Sequence, residues 1–111
     1  MLNQIILVGR LTRDITVNKA DNGVKVATIS IAVPRSFKNV DGVYDTDFID
    51  CVAFDTVALN TSEYCNKGDI VGVKGRVQSK TEEDKDGIKR NVLEVIAEKI
   101  TFLSSKPKEE A

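Results

Sequence analysis

The sequence predicts a single all-β domain with one short helix. Three observations lead to this prediction: apolar residues alternate with polar ones along several segments, glycine-containing turn signals separate these segments, and one stretch has a helical period. A length of 111 residues fits one domain that can bury a core without disulfides. The elements follow in chain order.

The first predicted strand covers residues 3–12 and contains four consecutive apolar residues, 5–8. We expect these to be buried on both faces, with the second face of a small domain covered by another subunit. Gly9 indicates a bulge or a sharp bend. An Asp-Asn-Gly turn precedes the second strand, residues 24–33, and Pro34 ends its pairing.

The third predicted strand, residues 47–54, follows a polar segment, residues 35–45, that is expected to be a flexible loop. Side chains alternate between the two faces of a strand. One face is apolar and suits a core: Ile49, Cys51, Ala53. The other face carries an aspartate, which favours contact with water, together with two large rings: Phe48, Asp50, Val52, Phe54. Spaced aromatics on a solvated face suit stacking on unpaired bases, although a second sheet or a subunit could cover them.

A helical period then covers residues 55–65, with Asp55 as the expected N-cap. A fourth strand is predicted over residues 69–80 and a fifth over residues 90–102, joined by a charged hairpin with an Asp-Gly turn. Five strands with the helix between the third and fourth have the order of the OB-fold, a five-stranded Greek-key barrel. We expect this domain to span residues 1–103 and a polar, disordered tail to follow at residues 104–111.

The composition argues against an enzyme. The chain has no histidine and neither a GxxxxGK[ST] nor a GxSxG motif. Its carboxylates lack the spacing of a calcium loop, so we expect no metal and no cofactor. No apolar run approaches the roughly 20 residues of a membrane span, and we expect a cytoplasmic protein. The net charge of −1 gives no overall attraction to nucleic acid, although a local basic groove is compatible with it.

Five segments resemble the bacterial single-stranded DNA-binding protein family. In order they are NQIILVGRLTRD at 3–14, NGVKVATISIAV at 22–33, TDFIDCVAF at 46–54, YCNKGDIVGVKGRVQSK at 64–80 and EVIAEKITFL at 94–103. The resemblance implies non-sequence-specific binding of single-stranded DNA in replication, recombination and repair. It also implies a homotetramer, or a homodimer, located in the cytoplasm near the nucleoid, or in a host's cytoplasm if the chain is phage-encoded.

The resemblance also implies which residues contact DNA. Phe48 and Phe54 match the stacking aromatics of the family's third strand, and Phe37 matches an aromatic at the end of its second strand. Three lysines match basic positions of the family: Lys38, Lys67, Lys80. Further cations are second-rank candidates, because each could equally be a solvated surface charge: Arg10, Arg13, Arg35, Lys74, Arg76.

The sequence departs from the family in three respects. Glu82 stands where a further stacking aromatic is usual, and Asp50 stands where lysine or arginine is frequent. The family's acidic, partner-recruiting C-terminal tip has no counterpart after residue 103, so recruitment of replication or recombination proteins is less well supported than DNA binding. The alternative function is an OB-fold accessory subunit that binds mainly protein.

Overall fold

A computed structural model describes residues 1–104 of the chain. That part contains six strands and one helix: β1 (Ile5–Leu11), β2 (Val17–Lys19), β3 (Lys25–Lys38), β4 (Tyr44–Phe54), α1 (Asp55–Tyr64), β5 (Ile70–Glu83) and β6 (Lys89–Ser104). The sequence prediction missed β2, a three-residue strand. Ser104, the first residue of the predicted tail, is the last residue of β6. Residues 105–111, for which disorder was predicted, lie outside the described residues.

Five of the strands close into a barrel, and β2 lies at the edge of β3. The order is β1-β5-β6-β4-β3, and β3 returns to pair with β1. Four of the seams are antiparallel, whereas β4 and β6 are parallel, with Cys51 opposite Val95. With α1 between β4 and β5, this is the predicted OB-fold.

Gly9 allows β1 to pair with two neighbouring strands. The strand pairs with β5 along residues 5–10 and with β3 at Arg10 and Leu11. A Cβ at Gly9 would lie 2.8 Å from the backbone oxygen of Ala32, closer than a side chain tolerates. Because the register with β5 is unbroken, the glycine permits a close approach between strands rather than a bulge.

The core fills the barrel with aliphatic and small side chains: Leu11, Ala27, Ile29, Ile31, Cys51, Ala53, Ala58, Cys65, Val71, Val73 and Ala97. Burial raises the pKa of both thiols, Cys51 and Cys65, to about 11, so they stay protonated at neutral pH. In the single chain one side of residues 5–8 is exposed, with Ile6 65% and Val8 50% accessible. The predicted cover of that side by another subunit stays a prediction.

The helix α1 begins where predicted but is capped differently. Ala58 and Thr61 are its buried positions. The N-cap position is Phe54, which makes no side-chain cap hydrogen bond, and Asp55 is the first helical residue. The carboxylate of Asp55 accepts a hydrogen bond from the backbone N–H of Lys25 at 3.3 Å. Asp55 has a φ of 47°, in the left-handed region that aspartate tolerates better than most residues. The aspartate therefore fastens the start of the helix to β3 rather than capping its first turn.

Two hairpin arms continue past the barrel seams. Most of the loop predicted at residues 35–45 is strand, since β3 runs to Lys38 and β4 starts at Tyr44. Similarly, β5 and β6 pair as far as Glu83 and Lys89, beyond the predicted strand ends. Polar residues form these arms because the partner strand satisfies their backbone hydrogen bonds. The arms lengthen the outer surface on which a ligand could lie.

Candidate nucleic-acid interface

The outer face of β4 consists of the even-numbered residues of that strand: Tyr44, Thr46, Phe48, Asp50, Val52 and Phe54. Phe48 is 76% exposed and Phe54 40% exposed, whereas Cys51 and Ala53 are fully buried. The predicted alternation of β4 is thus confirmed: the two rings point away from the core. Both lie on one regular strand, so their spacing is fixed by the backbone.

The neighbours of the rings on β3 are small or aliphatic. Ala32 lies opposite Phe48, and Val26 lies opposite Phe54. Neither partner carries a charge, and alanine is too small to cover a phenyl ring. Most of the Phe48 ring is therefore accessible to a flat partner, as base stacking requires.

Phe37 is also exposed, at 68%, but its place relative to the other rings differs. The register between β3 and β4 shifts between Pro34 and Lys38. In that stretch three residues of β3 lie opposite a single residue of β4, so alternation cannot be continued from the barrel to Phe37. The structure brings Phe37 to the same hairpin as Phe48 without placing it in the row formed by Phe48 and Phe54.

Asp50 lies on the outer face of β4 between the two rings and belongs to a polar network. Its Oδ1 accepts a hydrogen bond from the hydroxyl of Ser30 at 2.6 Å, and Ser30 Oγ accepts one from the guanidinium of Arg13 at 2.7 Å. Arg13 Nη2 is also 3.9 Å from Asp50 Oδ1. Arg13 therefore partly offsets a carboxylate that would repel phosphate. Sequence reasoning did not detect this network, because its members come from three separate segments.

Arg10 lies at one end of the same surface, and Lys67 is close to it in the chain. Arg10 is the register partner of Ala32, which in turn partners Phe48. Since neighbouring strands are about 4.8 Å apart, the backbone of Arg10 is about 10 Å from that of Phe48. The guanidinium donates to the carbonyl oxygen of Gly68 at 2.6 Å, and Lys67 precedes this glycine in the chain. The DNA contacts predicted for both cations stay predictions.

Arg35 lies on the other side of the β3–β4 arm. Its guanidinium donates to both carboxylate oxygens of Asp47, with contacts of 2.9 and 3.1 Å, and lies 3.8 Å from Asp45. These aspartates alternate with the outer-face residues of β4 and so point the opposite way. The hydrogen bond from Arg35 lowers the pKa of Asp47. The structure therefore does not bring Arg35 together with Phe48, and its predicted DNA contact stays a prediction.

The positive charge of Lys80, on the β5–β6 arm, is offset by two nearby carboxylates. Its Nζ is 3.1 Å from Glu82 and 3.2 Å from Glu94. Hydrogen bonds to Glu82 and then Glu94 raise the pKa of Lys80. Glu82 stands where the resemblance implies an aromatic side chain. This position therefore provides no ring for stacking, and its carboxylate pairs with Lys80.

Arg76 is better placed than Lys80. It is the register partner of Ile96, and Ile96 lies beside Val52 of the outer face of β4. Its guanidinium donates to the side-chain oxygen of Gln78 at 3.2 Å, a neutral partner. The guanidinium of Arg76 therefore faces a neutral partner at the edge of the surface that carries the rings.

Tyr44 was missed by sequence reasoning. It is 54% exposed and begins the outer face of β4, and the ammonium of Lys38 lies 5.7 Å from its ring centroid. Even-numbered residues of β4 share the face that carries Phe48 and Phe54. Alternation would therefore have identified Tyr44 if the strand had been predicted to begin at residue 44. Lys38, a predicted DNA contact, is thus adjacent to an aromatic ring.

The described residues 1–104 also limit other kinds of site. In that range no group of three or more histidine, cysteine, aspartate or glutamate side chains is placed to hold a metal ion. The one helix found there, α1, is too short and too polar to cross a membrane.

Comparison with known proteins agrees with the geometry. The model of the single-strand binding protein family matches residues 2–103. The chain is 42% identical over its full length to Single-stranded DNA-binding protein B of Bacillus subtilis (strain 168), covering 98% of that protein. It is 46% identical over 106 residues to Single-stranded DNA-binding protein of Oceanobacillus iheyensis, but covers 66% of that longer chain. It is 44% identical over 106 residues to Single-stranded DNA-binding protein 2 of Staphylococcus aureus (strain Mu50), covering 75% of it. A barrel of this topology, exposed rings on β4 and a family match across nearly the whole chain lead to one conclusion: the chain belongs to the single-strand binding protein family.

Proposed function

We propose that this protein binds single-stranded DNA without sequence preference and protects it during replication, recombination and repair. The observation that carries the proposal is the pair of exposed rings, Phe48 and Phe54, on one regular face of β4. Every base has a flat face, so stacking on such rings is tolerant of sequence. Nearby cations, Arg10 and Arg76 among them, supply the attraction to phosphate. The activity is binding rather than catalysis, and the cytoplasm is its proposed location.

The test compares labelled oligo-dT with a matched duplex across a salt series. We expect preference for the single strand and an affinity that falls with rising salt, because binding releases counterions from phosphate. The alternative, an accessory subunit that binds mainly protein, is not favoured by the matched family or by the names of the relatives. It would be supported if no single strand bound at low salt while a specific protein was captured.

We further propose that the protein acts as a homo-oligomer, a tetramer or a dimer. The exposed apolar side of β1, with Ile6 and Val8, supports this because burial against a second copy would remove it from water. Light scattering with and without a long oligo-dT measures the number of subunits and the stoichiometry of binding together. A monomer mass at working concentration would refute the proposal.

Asp50 provides a prediction about charge. Asp50→Asn removes the negative charge between the rings but retains a side-chain oxygen that accepts from Ser30. We expect oligo-dT to bind about 1.4- to fivefold more tightly, because exposed charge interactions are worth about 0.2–1 kcal/mol. Titrations by fluorescence anisotropy suit this measurement, since the chain has no tryptophan.

The matched control for Asp50 is Asp21→Asn, which makes the same charge change in the turn between β2 and β3. It alters the net charge equally but does not lie on the outer face of β4 between the rings. Equal affinities for the two variants would mean that Asp50 acts only through the overall charge of the protein.

A further inference from the structure

Tyr44 lies in line with the two phenylalanines. The strand irregularity between Pro34 and Lys38 belongs to β3, where the extra residues are found, and β4 itself alternates regularly from Tyr44 to Phe54. A rise of about 3.3 Å per residue puts Tyr44 about 13 Å beyond Phe48, while Phe54 lies about 20 Å to the other side. The three rings thus share one face and one direction.

Lys38 completes a small site with Tyr44. The two residues are register partners across the arm, and Nζ of Lys38 is 5.7 Å from the ring centroid, within cation–π range. The ring is 54% exposed, so it still offers surface on which a base can stack. The neighbouring carboxylates, Asp45 and Asp47, are held on the opposite side of the arm by Arg35. A ring beside an ammonium matches the two parts of a nucleotide, its base and its phosphate.

We propose that Tyr44 and Lys38 form an additional nucleotide-binding position, at which a base stacks on Tyr44 and the adjoining phosphate pairs with Lys38. The inference rests on the proposed function and extends it to a site further along the β3–β4 arm. A strand lying on the outer face of β4 would then be held over about 33 Å rather than about 20 Å. The position adds an aromatic contact to a chain that has Glu82 where the resemblance implies a ring.

The test uses oligo-dT of about 4 to 16 nucleotides, the range of site sizes for one OB-fold. For Tyr44→Ala we expect roughly tenfold weaker binding of the longer oligonucleotides, as for loss of one stacked base. We expect no change for oligonucleotides too short to extend beyond the two phenylalanines. Tyr44→Phe keeps the ring and should bind like the wild type.

Lys38→Gln gives a second readout, which a merely structural role of the Lys38–Tyr44 contact would not produce. Loss of one phosphate contact should lower the slope of log affinity against log salt by about 0.7 for a single strand. Tyr44→Ala should leave this slope unchanged. The matched control is Tyr64→Ala, an exposed tyrosine on α1 that contacts Phe102 of β6 and should not alter affinity at any length.

The outcomes separate the two proposals. If wild-type protein binds oligo-dT and Tyr44→Ala shows the same affinity at every length, the additional position is refuted and single-strand binding stands. A uniform loss at all lengths would also refute it, because the substitution would then act through the shape of the arm. If the wild type binds no single strand, both proposals fail.

Discussion

Replacing Phe48 with alanine should weaken the binding of oligo-dT by about ten- to a hundredfold. Each base stacked on an aromatic side chain contributes about 1–3 kcal/mol, and the ring of Phe48 is the most exposed aromatic on the outer face of β4. Phe54→Ala should have a smaller effect, because that ring is 40% rather than 76% exposed. Fluorescence anisotropy of a labelled oligonucleotide measures both variants at one salt concentration.

The control for these variants is Phe102→Ala. Phe102 is a phenylalanine of comparable exposure, 49%, that lies on β6 against Tyr64 rather than on the outer face of β4. Its loss should leave affinity within about twofold of the wild type, the size expected for surface changes of about 0.5 kcal/mol. If affinity were unchanged after both Phe48→Ala and Phe54→Ala, stacking on this strand would be excluded as the mode of binding.

Gly75→Ala should destabilise the fold by about 3 kcal/mol, a large part of the stability of a small domain. A Cβ at this position would collide with the backbone carbonyl of Ile96 across the β5–β6 seam. Neither strand can move away easily, since β5 is also paired with β1 and β6 with β4. Thermal unfolding followed by circular dichroism should show a Tm lower by at least about 10 °C.

Gly72→Ala is the matched control for Gly75→Ala. It makes the same change three residues earlier on β5, where the nearest atom to an added Cβ is Cδ1 of Leu103 at an ordinary 3.6 Å. We expect its Tm to stay close to that of the wild type. Equal losses of stability for the two variants would indicate a general intolerance of side chains on this strand rather than a collision at the seam.

The parts of the fold that could be predicted depend on local patterns. A period of two identifies the buried and exposed faces of β4 from a few neighbouring residues, and for that reason Phe48 and Phe54 were correctly placed on the outside. Local patterns of this kind also predicted the order of strands and helix along the chain, and that order is the one of the OB-fold. The ends of the arms were missed because their polar residues carry no apolar alternation, and the partner strand alone makes them extended.

The charged part of the site could not be predicted in the same way. Arg35 was a candidate from its residue type, but the irregular stretch of β3 directs it to Asp47 on the opposite side of the arm. Lys80 matches a basic position of the family, yet its ammonium forms ion pairs with Glu82 and Glu94. Such pairs depend on register and on bulges, which a linear sequence does not display. Exposure of a ring follows from parity, whereas availability of a charge follows from tertiary contacts.

The parallel seam between β4 and β6 has a consequence for how the chain folds. Cys51 meets Val95, and the strand that supplies Val95 is the last of the described chain. During synthesis the five strands that precede β6 cannot complete the barrel until nearly the whole domain has left the ribosome. Contacts so distant in sequence also slow folding compared with helical domains of similar size. Until then the edges of β4 and β5 that β6 covers remain unpaired, so we expect the period just before β6 emerges to be the one most prone to aggregation.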